Sequence, residues 1–217
     1  MPPVTILLLV IGPIVLAIVF GVVSWRKERA RTEALRMVAE TAGLAFEAKA
    51  DLAGLRSLAD VQLFSRGGSK RATNVMTGRI GEAQLAVFDY SYTIGSGKSR
   101  RTTSQTVVLL PAARPSLPDL QMTPENPLYK LAEAFGFQDI DIESSPEFSR
   151  RYVVKGANEE AIRAALYPGA TSYFAEHGGW TVEAQSGNVA IYRDDRRTKP
   201  EDMPAFIQEA CTAVRAL

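Results

Sequence analysis

The chain opens on a stretch with no polar face. Residues 4–23, VTILLLVIGPIVLAIVFGVV, run twenty positions without a charge. At about 1.5 Å per residue a helix of that length spans roughly 30 Å, the thickness of a bilayer hydrocarbon core. Thr5 is the one polar side chain, and its hydroxyl can bond back to its own helix. Pro13 would break a soluble helix, but Gly-Pro is tolerated as a kink inside a membrane span. Trp25 follows at the depth where indole rings prefer to lie. A signal peptide predicts a cationic start, a shorter apolar core and a small-residue cleavage site. Only Met-Pro-Pro precedes this run, and no A-x-A pattern closes it. The pattern predicts a transmembrane helix over 4–23.

From residue 24 to about 45 the period becomes helical, with Leu35, Val38, Ala39, Ala42 and Leu44 at spacings of three and four. This predicts a juxtamembrane stalk, with Gly43 as its stop. A short helix is predicted at 51–60, with Asp51 as N-cap. The pattern then changes to β-branched and aromatic runs separated by glycine-bearing turns: ATNVMTGRI, AQLAVFDYSYT and TSQTVVLL. They predict a three-stranded antiparallel meander. In its second strand Phe88, Tyr90 and Tyr92 share one face and Leu85, Val87 and Asp89 the other. The aromatic stripe is read as core rather than as a ligand-stacking platform.

A proline-rich connection follows, then a short helix near 127–135 and a strand in FQDIDIES, where Ile140 and Ile142 alternate with acidic residues. The last third predicts a strand at 151–155, helices at 157–166 and 170–176, a hairpin around Ser186-Gly187 and a terminal helix from about 201. The fold class expected is α+β: a transmembrane helix, a stalk over 24–45, a lobe over 46–145 carrying the meander, and a smaller α+β lobe over 146–217.

The stretch from about Ala34 to Lys155 resembles a group of uncharacterised bacterial single-pass membrane proteins with an N-terminal anchor and a cytoplasmic α+β domain. The residues that carry the resemblance are Gly78-Arg79-Ile80-Gly81, Val87-Phe88-Asp89-Tyr90-Ser91-Tyr92, Gly95-Ser96-Gly97-Lys98 and Gln105-Thr106-Val107-Val108. They are hairpin residues, so the resemblance implies a topology and supplies no catalytic residue.

Composition narrows the function classes. The 25 Lys and Arg nearly balance 24 Asp and Glu, which disfavours a dedicated nucleic-acid binder. A single cysteine, Cys211, excludes an intramolecular disulfide framework and a cysteine-built zinc site, and a single histidine, His177, excludes a His-rich metal centre. The near-neutral total hides an asymmetry. Residues 24–101 hold 14 Lys and Arg against 8 Asp and Glu, while residues 102–217 hold 11 against 16. Arg26, Lys27, Arg29 and Arg31 follow the apolar run and no cation precedes it, so the positive-inside rule predicts an inner-membrane protein with its N-terminus outside and its C-terminal domain cytoplasmic.

Gly95-Ser96-Gly97-Lys98-Ser99 imitates the end of a phosphate-binding loop. That motif needs a glycine where Tyr92 stands and a helix to follow, whereas Arg-Arg-Thr-Thr-Ser-Gln-Thr-Val-Val reads as strand. A solvated hairpin loop is expected instead. Asp139, Asp141 and Glu143 fit alternation on a solvated face rather than a cation site. His177 suits a helix C-terminus and Cys211 a packed position. No catalytic residue, metal ligand or cofactor is assigned.

In an antiparallel meander, the start of the first strand and the end of the second lie at one edge of the sheet. Arg66, Lys70 and Arg71 would thereby meet Lys98, Arg100 and Arg101 beside the cationic stalk. The function expected is a membrane-anchored cytoplasmic binding or interaction module. Its partners are the bilayer through residues 4–23 and anionic lipid or a protein at the basic edge. The alternative is a membrane-tethered enzyme whose site is assembled only by the fold.

Overall fold

Alternation along the three central strands is borne out by an eight-stranded antiparallel sheet, seen in the computed structural model of the chain. The structure describes residues 3–58, 60–81, 83–114, 116–125 and 139–217, with side chains at all of these except 3–11, 13, 57, 58 and 83. A long helix α1 (Pro3–Thr41) leads into β1 (Ala45–Ala50) through Gly43, which adopts φ +67°. Helix α2 (Leu52–Leu58) starts after Asp51, whose carboxylate accepts the Ala53 N–H at 3.1 Å. A 3-10 turn over Gln62–Ser65 precedes the meander β2 (Gly68–Ile80), β3 (Ala83–Ile94) and β4 (Arg101–Pro111). The remaining elements are β5 (Leu120–Pro124), α3 (Pro146–Ser149), β6 (Tyr152–Lys155), α4 (Glu159–Ala165), α5 (Pro168–Glu176), β7 (Thr181–Gln185), β8 (Asn188–Tyr192) and α6 (Met203–Ala216).

The strand order is β1-β2-β3-β4-β8-β7-β5-β6. The pairing of β4 with β8 (Val107 opposite Tyr192, Leu110 opposite Val189) joins strands from the two expected lobes into one sheet, with no break at residue 145. Each face carries its own core. Leu85, Val87, Val108, Met122, Val182 and Ile191 pack beneath α1 and α6. On the opposite face Phe88, Tyr90, Tyr92, Val107 and Tyr192 pack beneath Leu55, Leu63 and Phe64. The aromatic stripe of β3 is therefore core. Phe64 stacks on Phe88 at 6.1 Å and meets Tyr90 edge-on at 5.5 Å. Burial pushes the Tyr90 hydroxyl up to about 12.

Three expectations change. The stalk does not run helical to 45, because β1 starts there and pairs Ala45 with Thr77. The proline-rich connection conceals β5, whose Leu120 and Met122 are buried while Pro124 closes the strand. Residues 139–143 form no strand. Ile140 and Ile142 are buried as their alternation implied, but only one backbone bond, Ile140 N–H to Val154 O at 2.8 Å, reaches β6 among the described residues. Side chains take the place of others: Asp139 accepts the Val154 N–H at 2.9 Å and the Ser149 hydroxyl accepts the Ile142 N–H at 2.9 Å. The helix expected near 127–135 lies outside the described residues.

Candidate functional site

Asp89 stands on an otherwise apolar face of β3, and that places the first constraint on the site. At 4% exposure its carboxylate needs partners. It has four. Arg31 of α1 grips it through Nε to Oδ2 and Nη2 to Oδ1, both at 2.8 Å. The Asn74 amide donates to Oδ2 and the Thr106 hydroxyl to Oδ1, both at 2.9 Å. The four bonds fill the acceptor positions of one carboxylate. Thr106 comes from β4, directly opposite Asp89. Asn74 reaches in because β2 bulges between Thr73 and Met76 and Asn74 takes φ +54°, a conformation asparagine tolerates better than most residues.

A second pair holds the same helix nearer the apolar run. Arg197 donates to both oxygens of Glu28 at 2.8 and 2.6 Å. The hydrogen bond from Arg197 holds the Glu28 carboxyl below its ordinary range. The segment carrying Arg197 is itself tied to β4: Thr106 N–H donates to Arg196 O at 3.1 Å, and Thr198 N–H to the Thr106 hydroxyl at 2.9 Å. Below this clamp Leu35 and Ala39 pack into the core. Above it Leu16, Phe20 and Trp25 stand exposed at 71%, 73% and 59%, an apolar stem that ends where the Arg29 guanidinium lies over the Trp25 ring. Among the described residues no helix is long and apolar enough to cross a membrane.

Helix α1 runs antiparallel to β3. Arg31 sits at Asp89, while Leu44, just past the helix end, abuts Gly78, whose strand partner is Leu85. The distal end of β3 therefore points back along the stem. Five residues of strand from Asp89 to Ile94 cover about 17 Å. A helix covers that length in about eleven residues, or fewer at an oblique crossing. Counted back from Arg31 along the helix axis, the end of β3 at Ile94 comes level with residues 20–25.

That end is where the basic edge was expected. Gly68 pairs with Thr93, so the loop before β2 and the loop after β3 do share an edge. The six cations divide there. Arg71, Lys98 and Arg100 are exposed, and their side chains make no ion pair or hydrogen bond among the described residues; exposed Ile94 lies at the same edge. Arg101 pairs with Asp195. Lys70 is turned inward, donating to Phe64 O at 2.8 Å. Arg66 turns away from the edge and is largely buried, with its guanidinium 2.6 Å from Glu183. Burial works against its charge, but the surrounding Tyr192 and Glu183 groups hold its pKa above the ordinary range. Three of the six expected cations are therefore exposed and unpaired at this edge among the described residues, and Arg66 is claimed by a buried acid on a distant strand.

Lys98 sits in a 3-10 turn over Gly97–Ser99 that opens directly into β4, so no helix presents N–H groups to a phosphate. Lys98→Ala will leave the unfolding midpoint within about 0.5 kcal/mol of the parent, as an exposed loop substitution should. Neither ATP nor GTP will bind the parent chain in equilibrium dialysis; affinity abolished by this substitution would restore the nucleotide reading.

No protein-family model and no curated protein matches the chain. Among solved structures the fold is similar to the crystal structure of the mycobacterial trehalose monomycolate transport factor A, TtfA, with a TM-score of 0.59 over 87% of this chain and 92% of that one. The two sequences are 14% identical, so what they share is the fold.

Proposed function

We propose that the chain is a membrane-anchored interaction module: residues 4–23 span the inner membrane, and α1 carries the cytoplasmic domain with its basic end against the anionic inner leaflet. The clamp of α1 on the sheet supports this best. Arg31–Asp89 and Glu28–Arg197 fix the stem so that the end of β3, which carries the β3–β4 tip, comes level with residues 20–25. Arg71, Lys98 and Arg100 contribute up to about 1 kcal/mol each at an anionic surface, attenuated by salt over roughly one Debye length. Ile94 adds an apolar side chain to the same tip. The fold shared with a protein named as a transport factor fits an interaction module.

A reporter fused after Leu217 tests the topology. The four cations after the apolar run predict activity for a cytoplasm-dependent reporter and none for a periplasm-dependent one. The reverse pattern removes the inner leaflet as a partner.

A further inference from the structure

The other buried ion pair of the domain lies on the opposite face of the sheet and is incomplete. Glu183 is 2% exposed and accepts from the Leu63 N–H at 2.6 Å, from Arg66 at 2.6 Å and from the Tyr192 hydroxyl at 2.8 Å. Arg66 and Tyr192 both bind Oε1, and Leu63 binds Oε2. Asp89 has all four of its acceptor positions filled, and Glu183 has three. Burying such a pair costs more desolvation than an apolar replacement of similar volume, so it is weak as a stabilising device.

Glu183 forms part of the wall of a cleft of about 220 Å³ between the Gln62–Ser65 turn and the ends of β5, β6 and β7. Strand register sets Lys155, Gln121 and Glu183 side by side across three strands, on one face. Lys155 is half-buried, and its ammonium has no hydrogen-bond or ion-pair partner among the described residues. Gln62 adds a buried Oε1 that accepts no hydrogen bond among the described residues. A buried acceptor without a donor is costly, and Lys155 lays its stem along the same wall and brings an unpaired ammonium to it. Here both border the same cleft, within a row that ends in a carboxylate with a vacant acceptor position.

We propose that this cleft is a binding site for a small zwitterion of the α-amino acid class. The ligand's ammonium donates to Gln62 Oε1 and Glu183 Oε2, and its carboxylate is taken by Lys155 Nζ and the Gln121 amide. A simple anion would meet Glu183 and Asp119, which also lines the cleft, and a simple cation would meet Lys155. Only a ligand with both signs satisfies the row. At ~30 Å³ per water the cleft holds the volume of about seven waters, enough for an amino acid and too little for a nucleotide. The proposal does not depend on the membrane reading.

Equilibrium dialysis of the full chain in detergent micelles against radiolabelled L-glutamine and glycine tests it, with acetate and methylammonium as single-charge controls. One saturable site per chain is expected for an amino acid, and no competition from either control. Lys155→Met and Gln62→Leu will each weaken binding about tenfold or more, while Lys155→Arg retains it. Thermal unfolding of each variant without ligand reports whether it is folded. No saturable binding of either amino acid up to about 10 mM overturns the proposal. So does equal competition by acetate, which would make Lys155 a simple anion site, or unchanged affinity in folded Lys155→Met.

Discussion

Arg31→Ala will destabilise the folded domain by about 3–5 kcal/mol, the loss expected when one partner of a buried ion pair is removed and the other stays behind. Asp89 keeps its bonds from Asn74 and Thr106, but loses the two that carry the compensating charge. Urea unfolding of the full chain in micelles, followed by near-ultraviolet dichroism, measures the loss. Arg31→Met combined with Asp89→Leu should recover only part of it: no uncompensated charge remains, but the buried Asn74 amide and Thr106 hydroxyl lose their acceptor. A loss under about 1 kcal/mol for Arg31→Ala would mean that water reaches Asp89 once the guanidinium is gone, and that α1 is loosely held.

Phe88→Ala will cost about 3–5 kcal/mol by the same assay, the range for emptying a large aromatic site in a packed core. Phe88 is fully buried between Phe64, Tyr90 and the strands either side. A ring kept for stacking on a ligand would be exposed, and its truncation would cost little stability. A loss below about 1 kcal/mol would therefore return the β3 stripe to a binding role.

The meander, the hairpin around Ser186-Gly187 and the terminal helix were legible because each carries a local signal: alternation, a glycine turn, or a 3.6-residue period. β1 and β5 were not. AFEAKA is half alanine, a weak strand former, and takes its strand form from pairing with β2, and LQMTP lies among prolines. The site was half legible. The shared edge of two basic loops followed from topology alone, whereas the buried destination of Arg66 depended on Glu183, 117 positions away. One signal did point to the clamp. Asp89 aligns with Leu85 and Val87 on β3, and an acid on an apolar strand face demands a buried cation. Choosing Arg31 among 25 Lys and Arg needed the path of α1 across the sheet.

In the proposed placement the docking of α1 fixes how far the β3–β4 tip stands from the bilayer, and that distance can be measured directly. Ser99→Cys places a fluorescent label at the tip, while Cys211 is buried and its thiol pushed above the ordinary range by that burial, so it labels slowly. The full chain is reconstituted in vesicles of anionic and zwitterionic lipid carrying quenchers at graded depths. The account predicts quenching by headgroup-level quenchers in both, with the label within about 10 Å of the lipid surface, and stronger quenching in anionic vesicles that salt reduces. A label that no lipid-borne quencher reaches in either vesicle would show the tip projecting into water, and would contradict the placement of the domain on the membrane.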